Sequence, residues 1–336
     1  MNGDPGTTAG AAPAAARTPR RVLAVDGGQS AIRLRHAPSG AAAEVAGVSR
    51  QEGDVVAAVA RAVVQGWRAI GSPAAERVVL GLTTAPADPA DQERLCTEVG
   101  AALDATEVWL ADDAVTTHAG ALPDDGGWGV SVTAGTGVAC LAMPPAAGAP
   151  RIIGGHGFLL GDEGGGFWIG REGLRAALRA HDGRGPATPA LDAAARARFG
   201  DLDDLPARLH AAPRPVNDLA LFAPDVLAAA DAGDPVAHGI ADAAADELAL
   251  LIRAGAAYVA AGPPATRAVP VALGGRLLAG RSSLRRRLDT RLAADPVPGT
   301  EPRDAAGTPL DGAMRLGLDD DPGRYGGLVV RWRRAT

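Results

Sequence analysis

Lysine is absent from this sequence of 336 residues, so all 33 of its strongly basic side chains are arginine. The familiar phosphate-binding P-loop needs a lysine to reach the outer phosphates of a nucleotide. That type of nucleotide site is therefore excluded, and any nucleotide must be held by loops of another kind.

Cysteine and aromatic residues are also scarce. Cys96 and Cys140 are the only cysteines, and they lie far apart in apolar stretches, which suits neither a metal site nor a disulfide framework. We expect two buried thiols in a reducing compartment, which predicts a cytoplasmic protein. Aromatic residues make up only 3% of the chain, so its apolar content comes mainly from alanine, valine and leucine.

Membrane-spanning runs and strongly basic surfaces are missing as well. The longest uncharged run, 126–150, is broken by glycine and proline and cannot be a spanning helix. The net charge is -6, and arginines are mixed with acids except in the short run 285–287. Residues 1–20 lack the features of a signal peptide and are predicted to form a disordered tail. We therefore expect neither nucleic acid nor a membrane among the partners.

Strand-like and helix-like segments alternate along the chain. Runs rich in β-branched residues at 21–25 and 77–82 are separated by apolar residues at helical spacing, which predicts an α/β fold with functional groups at strand ends. The chain length predicts two lobes with a cleft between them. The expected divisions are a disordered tail at 1–20, an N-terminal lobe at 21–122, a C-terminal lobe at 123–320 with a helical insertion at 183–216, and a C-terminal tail at 321–336.

The first glycine loop follows a strand and reads Asp26-Gly27-Gly28-Gln29-Ser30. The glycines let the backbone approach an anion closely, Ser30 adds a hydroxyl donor, and Asp26 is suited to hold Mg²⁺ through water. An aspartate that only caps the turn is the alternative. The loop thus predicts a site for phosphate and Mg²⁺, with Asp26 as the metal-binding residue.

A second loop of the same design joins two apolar strands in the C-terminal lobe. Gly135-Thr136-Gly137 places one hydroxyl between two glycines, and an ordinary β-hairpin turn is the alternative. Gly274-Gly275 follows a later strand and suits close backbone approach to a nucleoside, with a plain turn as the alternative. The presence of two such loops in successive lobes favours phosphate binding.

Acidic residues supply the candidate chemistry. Asp113 ends a strand that faces the expected cleft, where a carboxylate can accept the proton of an attacking sugar hydroxyl. An ordinary aspartate pKa of about 3.9 would keep it ionised at neutral pH. Asp112 is the better helix cap because it comes first. Asp162 and Glu163 are candidates either to bind sugar hydroxyls or to compensate the dipole of the helix that follows.

These motifs occur in an order that resembles the BadF/BadG/BcrA/BcrD ATPase family, in particular its N-acetylglucosamine kinase branch. The resemblance spans about 21–317 and includes both glycine loops, Asp112-Asp113-Ala114 and Leu273-Gly274-Gly275. Its most specific part is the string LGDEGGGFWIG at 160–170, close to LGDEGSGYWIG of that branch.

The resemblance implies an actin-like ATPase fold, in which two RNase H-like lobes close on ATP and Mg²⁺. It assigns the phosphates to the loops at 26–30 and 135–137, the adenosine to Gly274-Gly275, and activation of the sugar 6-hydroxyl to Asp113. The residues expected to contact the sugar are Asp162, Gly155 and Gln51.

The implied protein is a homodimeric, ATP-dependent kinase of N-acetylglucosamine or a related amino sugar or hexose. Several positions depart from the pattern of that branch. Val138 replaces a serine of the second loop, His156 replaces a tryptophan, and the segment 47–51 lacks the asparagine of the sugar-contacting loop. These departures leave the identity of the sugar open.

Other interpretations stay open. One is the second branch of the family, dimeric ATPases that activate dehydratases through a shared iron–sulfur cluster, which needs thiolate ligands. Another is a non-catalytic sugar or nucleotide sensor, although Asp26, Asp113 and Asp162 are all present. A related family of zinc-containing repressors and kinases is disfavoured because its cysteine cluster is missing.

Overall fold

The computed structural model describes residues 20–48, 53–145, 148–262 and 267–335. Its strands are β1 (Val22–Gly27), β2 (Ala31–Ala37), β3 (Ala42–Ala46), β4 (Arg77–Leu82), β5 (Glu107–Asp112), β6 (Gly129–Ala134), β7 (Val138–Met143), β8 (Arg151–Ile152), β9 (Val269–Gly274), β10 (Thr300–Asp304) and β11 (Val329–Arg333). Its α-helices are α1 (Val55–Ala69), α2 (Pro89–Leu103), α3 (Asp113–Ala121), α4 (Gly166–His181), α5 (Pro189–Phe199), α6 (Leu205–Ala211), α7 (Pro215–Ala220), α8 (Ala223–Asp231), α9 (Pro235–Ala260), α10 (Ser283–Ala294) and α11 (Pro309–Leu318).

Two sheets form the two lobes, and all the strands of the first except β11 follow the same order as the strands of the second. The first has the strand order β11-β5-β4-β1-β2-β3, and the second has the order β10-β9-β6-β7-β8. In the first sheet β1 pairs antiparallel with β2 and parallel with β4, and in the second β6 pairs in the same way with β7 and β9. The α/β fold expected from the sequence is confirmed.

Parallel pairing brings three strand ends to one edge of the first sheet. β4 lies between β1 and β5 and is parallel to both, and residues 22–25 of β1 are fully buried. Continuous apolar runs of this kind are typical of central strands covered on both faces. Asp26 therefore lies at the same edge as Thr83, which follows β4, and as Asp112 and Asp113, which lie where β5 meets α3.

The chain returns from the second lobe to the first. α11 packs on α3 and β1, and β11 pairs antiparallel with β5. The sequence predicted a C-terminal tail at 321–336 and placed α11 within a C-terminal lobe ending at 320. The structure differs because the alternating apolar residues Val330 and Trp332 pack against the core of the first lobe, so that β11 covers the edge of β5.

Several smaller expectations can be compared with the structure. Cys96 and Cys140 are both buried and unpaired, as expected. The insertion at 183–216 consists of α5, α6 and the start of α7. Within the described ranges, no helix combines the length and apolarity needed to cross a membrane. Residues 1–19 of the expected N-terminal tail lie outside the described part of the chain.

Helices α3 and α11 cross with their backbones in contact. A Cβ atom built on Gly312 would lie 1.8 Å from the carbonyl oxygen of Thr116, and one built on Gly120 would lie 2.2 Å from that of Thr308. Only glycine permits such an approach at both positions. Because α3 begins at Asp113, this crossing also fixes the candidate catalytic residue relative to β1.

Replacing Gly312 with alanine should lower the free energy of unfolding by about 1–3 kcal/mol, because the added methyl group forces α3 and α11 apart. The matched control is Gly239→Ala in α9, where nothing lies within 4 Å of the new methyl group. Alanine also has the higher helix propensity there, so we expect no loss. Urea unfolding measures both variants, and equal stabilities would contradict the proposed packing.

Candidate active site

A cleft of about 1200 Å³ lies between the lobes and is lined by loops from both sheets. The predicted site residues that line it are Asp26, Gly28, Ser30, Asp113, Gly135, Thr136, Gly137, Gly155, Asp162, Gly274 and Gly275. Gly27 does not line the cleft, and Gln51 lies outside the described residues. A smaller cavity of about 340 Å³ around 319–325 contains none of the predicted residues.

The first glycine loop turns tightly after β1. The Gly28 N–H donates to the Ala31 carbonyl at 2.9 Å. A Cβ atom on Gly27 would lie 2.4 Å from the Leu82 side chain, whereas one on Gly28 would have no neighbour closer than 3.5 Å. A side chain at Gly27 would have to displace the end of the Leu82 side chain, and Gly28 leaves open space at the cleft.

Asp26 lies beside Arg33 of β2, with 3.5 Å between its Oδ2 and Arg33 Nη1. Burial raises the pKa of Asp26, and the Arg33 guanidinium opposes that rise. No group of three or more candidate metal ligands converges anywhere in the described ranges. Mg²⁺ bound together with a nucleotide needs only one or two carboxylates, since it keeps several waters and takes phosphate oxygens. Asp26 fits an ion shared with a nucleotide in this way.

The first turn of α4 holds the second glycine loop. The Gly166 N–H donates to the Gly135 carbonyl at 2.9 Å, and the Phe167 N–H donates to the Thr136 carbonyl at 2.8 Å. Nothing lies within 4 Å of a Cβ atom built on Gly135, so the loop presents open backbone. β6 and β7 do form an antiparallel hairpin through this loop. The hairpin and the candidate phosphate loop are therefore the same structure.

Asp162 is held against the second loop. Its Oδ1 accepts a hydrogen bond from the Val138 N–H at 3.2 Å, and its Oδ2 would lie 2.7 Å from a Cβ atom on Gly137. The backbone of Asp162 has φ of 62°, a left-handed conformation that aspartate adopts more readily than most non-glycine residues.

Asp113 lies at the start of α3, beside the side chains of Thr83 and Asp112. The Thr83 hydroxyl donates to its Oδ2 at 2.6 Å. Asp112 caps α3 by accepting from the Ala114 N–H at 2.9 Å, as the sequence predicted. Asp113 is half-buried as a residue, yet its carboxyl group is strongly desolvated.

In this environment the pKa of Asp113 differs from the value expected from the sequence. Desolvation, followed by the negative charge of Asp112, raises the pKa of Asp113 to about 7, while the Thr83 hydrogen bond opposes the rise. The sequence predicted an ordinary value and full ionisation at neutral pH. The difference arises because burial and neighbouring charge come from tertiary structure.

The Gly274-Gly275 turn lies where β9 meets the cleft. Gly275 has φ of 84°, and a Cβ atom on it would lie 2.3 Å from the carbonyl oxygen of Ala134. Glycine is thus required for close approach of this turn to the end of β6. The turn and the exposed Arg276 that follows it both line the cleft next to the second glycine loop.

Two polar residues of the site were missed in the sequence. Thr83 carries the hydrogen bond to Asp113, and the position after a buried strand could have indicated it. Asn217 of α7 accepts a hydrogen bond of 2.6 Å from the Ser30 hydroxyl. Asn217 directly follows the insertion at 183–216, for which the sequence indicated little function. The one available signal is that asparagine is rare in this sequence, since the only other one is Asn2.

One wall of the cleft includes the loop that precedes α4. Gly155 and His156 are exposed there, and Leu159 lines the same wall with 80% of its surface accessible. The wall therefore combines polar and apolar groups close to Asp162.

Comparisons with known proteins agree with this architecture. The model of the BadF/BadG/BcrA/BcrD ATPase family matches residues 38–293. The crystal structure of a candidate N-acetylglucosamine kinase from Chromobacterium violaceum is 27% identical, with a TM-score of 0.67, over 89% of this chain and 99% of that one. A candidate N-acetylglucosamine kinase from Porphyromonas gingivalis is 16% identical, with a TM-score of 0.66 and the same coverage.

A more distant likeness is to the hexokinase of Schistosoma mansoni solved with glucose. It is 14% identical, with a TM-score of 0.54, over 90% of this chain and 87% of that one. No curated protein sequence matches this chain. The structural likenesses confirm the actin-like ATPase fold expected from the motifs.

The raised pKa of Asp113 predicts a measurable dependence of stability on pH. The carboxyl group ionises more readily in the unfolded chain, so the folded state loses stability as pH rises from about 4 and loses no more above about 7. Asp113→Asn removes this penalty. We expect the variant to be more stable than wild type by about 1–3 kcal/mol at pH 8 and no more stable near pH 4.

Urea unfolding across this pH range measures the difference. Asp124→Asn, at an exposed aspartate, is the matched control and should follow wild type throughout. A stability difference between Asp113→Asn and wild type that does not change with pH would contradict the raised pKa.

Proposed function

The chain belongs to the BadF/BadG/BcrA/BcrD ATPase family, and from that premise we propose that it is an ATP-dependent sugar kinase. The proposed reaction transfers the γ-phosphate of ATP to the 6-hydroxyl of N-acetylglucosamine or a related amino sugar or hexose. The observation that carries the proposal is the position of Asp113, a desolvated carboxyl group in a cleft that two open glycine loops enter from opposite lobes.

The nucleotide side of the cleft suits a triphosphate. Open space at Gly28 and Gly135 lets a phosphate approach the backbone of both glycine loops, and Ser30 and Thr136 line the same cleft. Loops of this kind surround phosphates in kinases that lack a P-loop. Asp26 would hold Mg²⁺, which when bound neutralises charge on the phosphates. The turn at 274–275 would contact the nucleoside.

Asp113 would act as the base for the attacking sugar hydroxyl. Thr83 fixes one of its carboxylate oxygens by a hydrogen bond of 2.6 Å. A base is most effective when its pKa lies near the working pH, and burial brings the pKa of Asp113 to about 7. Asp113 would hold the proton as the sugar oxygen attacks, and closure of the lobes would exclude water from the phosphate.

The sugar would lie along the wall formed by Gly155 and Asp162. The Asp162 carboxylate is fixed by the Val138 N–H and lines the cleft, so it is placed to accept hydrogen bonds from sugar hydroxyls. Gln51 is proposed to complete this side on the basis of the family resemblance.

The dehydratase-activator alternative is disfavoured by the state of the thiols. An iron–sulfur cluster shared between subunits needs accessible thiolates. Both cysteines are buried, and burial raises the pKa of each to about 12. Neither side chain is therefore a suitable ligand at a subunit surface.

A coupled assay of ADP release tests the proposed activity. Purified protein with MgATP should release ADP with at least one sugar of a panel of N-acetylglucosamine, glucosamine, N-acetylmuramic acid and glucose, and very little when sugar is omitted. Asp113→Asn should lower kcat by about 10²–10⁴-fold, because the sugar hydroxyl loses its base. Activity of wild type should rise with pH through about 7, as Asp113 loses its proton.

Asp124→Asn, at an exposed position, is the control and should retain wild-type activity. ADP release that does not depend on any sugar, or a kcat unchanged in Asp113→Asn, would contradict the proposal. The homodimer and the cytoplasmic location remain predictions, and light scattering of the purified protein tests the first.

A further inference from the structure

We propose that Asn217 is a positioning residue that joins the first phosphate loop to the second lobe and so sets the affinity for nucleotide. The proposal rests on the nucleotide site described above and adds to it a residue of α7. Asn217 does not line the cleft wall, whereas Ser30 and Thr136 do. We therefore expect Asn217 to influence a nucleotide through Ser30, the cleft-lining residue that it contacts.

Three polar side chains from separate parts of the chain meet at this point. The Ser30 hydroxyl donates to Asn217 Oδ1 at 2.6 Å, and the hydroxyls of Ser30 and Thr136 lie 3.4 Å apart. Ser30 belongs to the first lobe, while Thr136 and Asn217 belong to the second. The cluster is thus a direct hydrogen-bonded link between the two candidate phosphate loops.

Backbone packing fixes Asn217 relative to the second loop. A Cβ atom on Gly170 of α4 would lie 1.8 Å from the carbonyl oxygen of Leu219, so α4 and α7 touch backbone to backbone. The same end of α4 donates two backbone hydrogen bonds to the loop at 135–137. The second loop, α4 and α7 therefore form one unit, and Asn217 is the side chain of α7 that contacts Ser30.

An amide is chemically well suited to this position. It offers an acceptor for the Ser30 hydroxyl without the negative charge that would repel phosphates. The link uses the single hydroxyl hydrogen of Ser30, so it acts by holding the first loop in place before a phosphate binds. Both loops are thus already held in place across the cleft before a nucleotide binds.

A double-mutant cycle on nucleotide binding tests the link. Binding of the non-hydrolysable analogue AMP-PNP with Mg²⁺ is measured by calorimetry for wild type, Asn217→Ala, Ser30→Ala and the double variant. Loss of one hydrogen bond predicts about 3–10-fold weaker binding for Asn217→Ala. If Asn217 acts through Ser30, the double variant should bind no more weakly than Ser30→Ala alone. Fully additive losses would overturn the proposal.

Asp218→Ala is the matched control, because it changes the next residue of the same helix at a position that does not line the cleft. It should bind AMP-PNP like wild type. Melting temperatures of Asn217→Ala and Asp218→Ala establish that both are folded. Equal weakening of binding by these two variants would show a general effect of α7 and would overturn the specific role of Asn217.

A measurement without nucleotide separates this proposal from the proposed function. Hydrogen exchange of the backbone amides at 27–31 should become faster in Asn217→Ala than in Asp218→Ala, because the first loop loses its link to the second lobe. Unchanged exchange would overturn the link whatever the activity of the protein. Faster exchange in a protein that binds no AMP-PNP would support the link and contradict the kinase.

Discussion

The Asp113 carboxyl group is buried away from water, and the rest of the site must compensate for the cost of that burial. A desolvated carboxylate needs hydrogen bonds or positive charge in compensation. Thr83 supplies one hydrogen bond, while Asp112 and Asp26 add negative charge. The three aspartates thus place an excess of negative charge in the cleft, which protonation of Asp113 offsets below about pH 7 and which a bound cation would also offset.

The fold keeps this arrangement in place by bringing backbones into contact. Glycines at 120 and 312 let α11 cross α3, and Gly170 lets α7 lie on α4. Each contact leaves no room for a side chain, so the helices that carry Asp113 and Asn217 have little freedom to shift. Apart from β11, the two lobes use the same strand order, and in each lobe a glycine loop follows the first strand.

Much of the fold could be predicted from the sequence because its central strands are continuous apolar runs. β4 was predicted at 77–82, where it lies, and both glycine loops follow strands that such runs indicate. β11 was not predicted, because its alternating arginines and apolar residues resemble an exposed tail until they pair with β5.

The chemistry of the site was less accessible from the sequence. The pKa of Asp113 depends on neighbours contributed by β1, β4 and β5, and no local pattern encodes that desolvation. The Ser30–Asn217 contact joins residues separated by 187 positions. Hydrogen bonds over such distances follow from the packing of α7 on α4, which the weak periodicity of the insertion did not reveal.

Pairing of β11 with β5 also has a consequence for synthesis of the chain. The strand that covers the edge of β5 lies beyond the whole second lobe in the sequence, so a ribosome makes it after both β5 and α3. The first lobe emerges early but carries an unpaired strand edge, next to its acidic residues, while the rest of the chain is translated. Completion of the first lobe is thus delayed until the second lobe has been made.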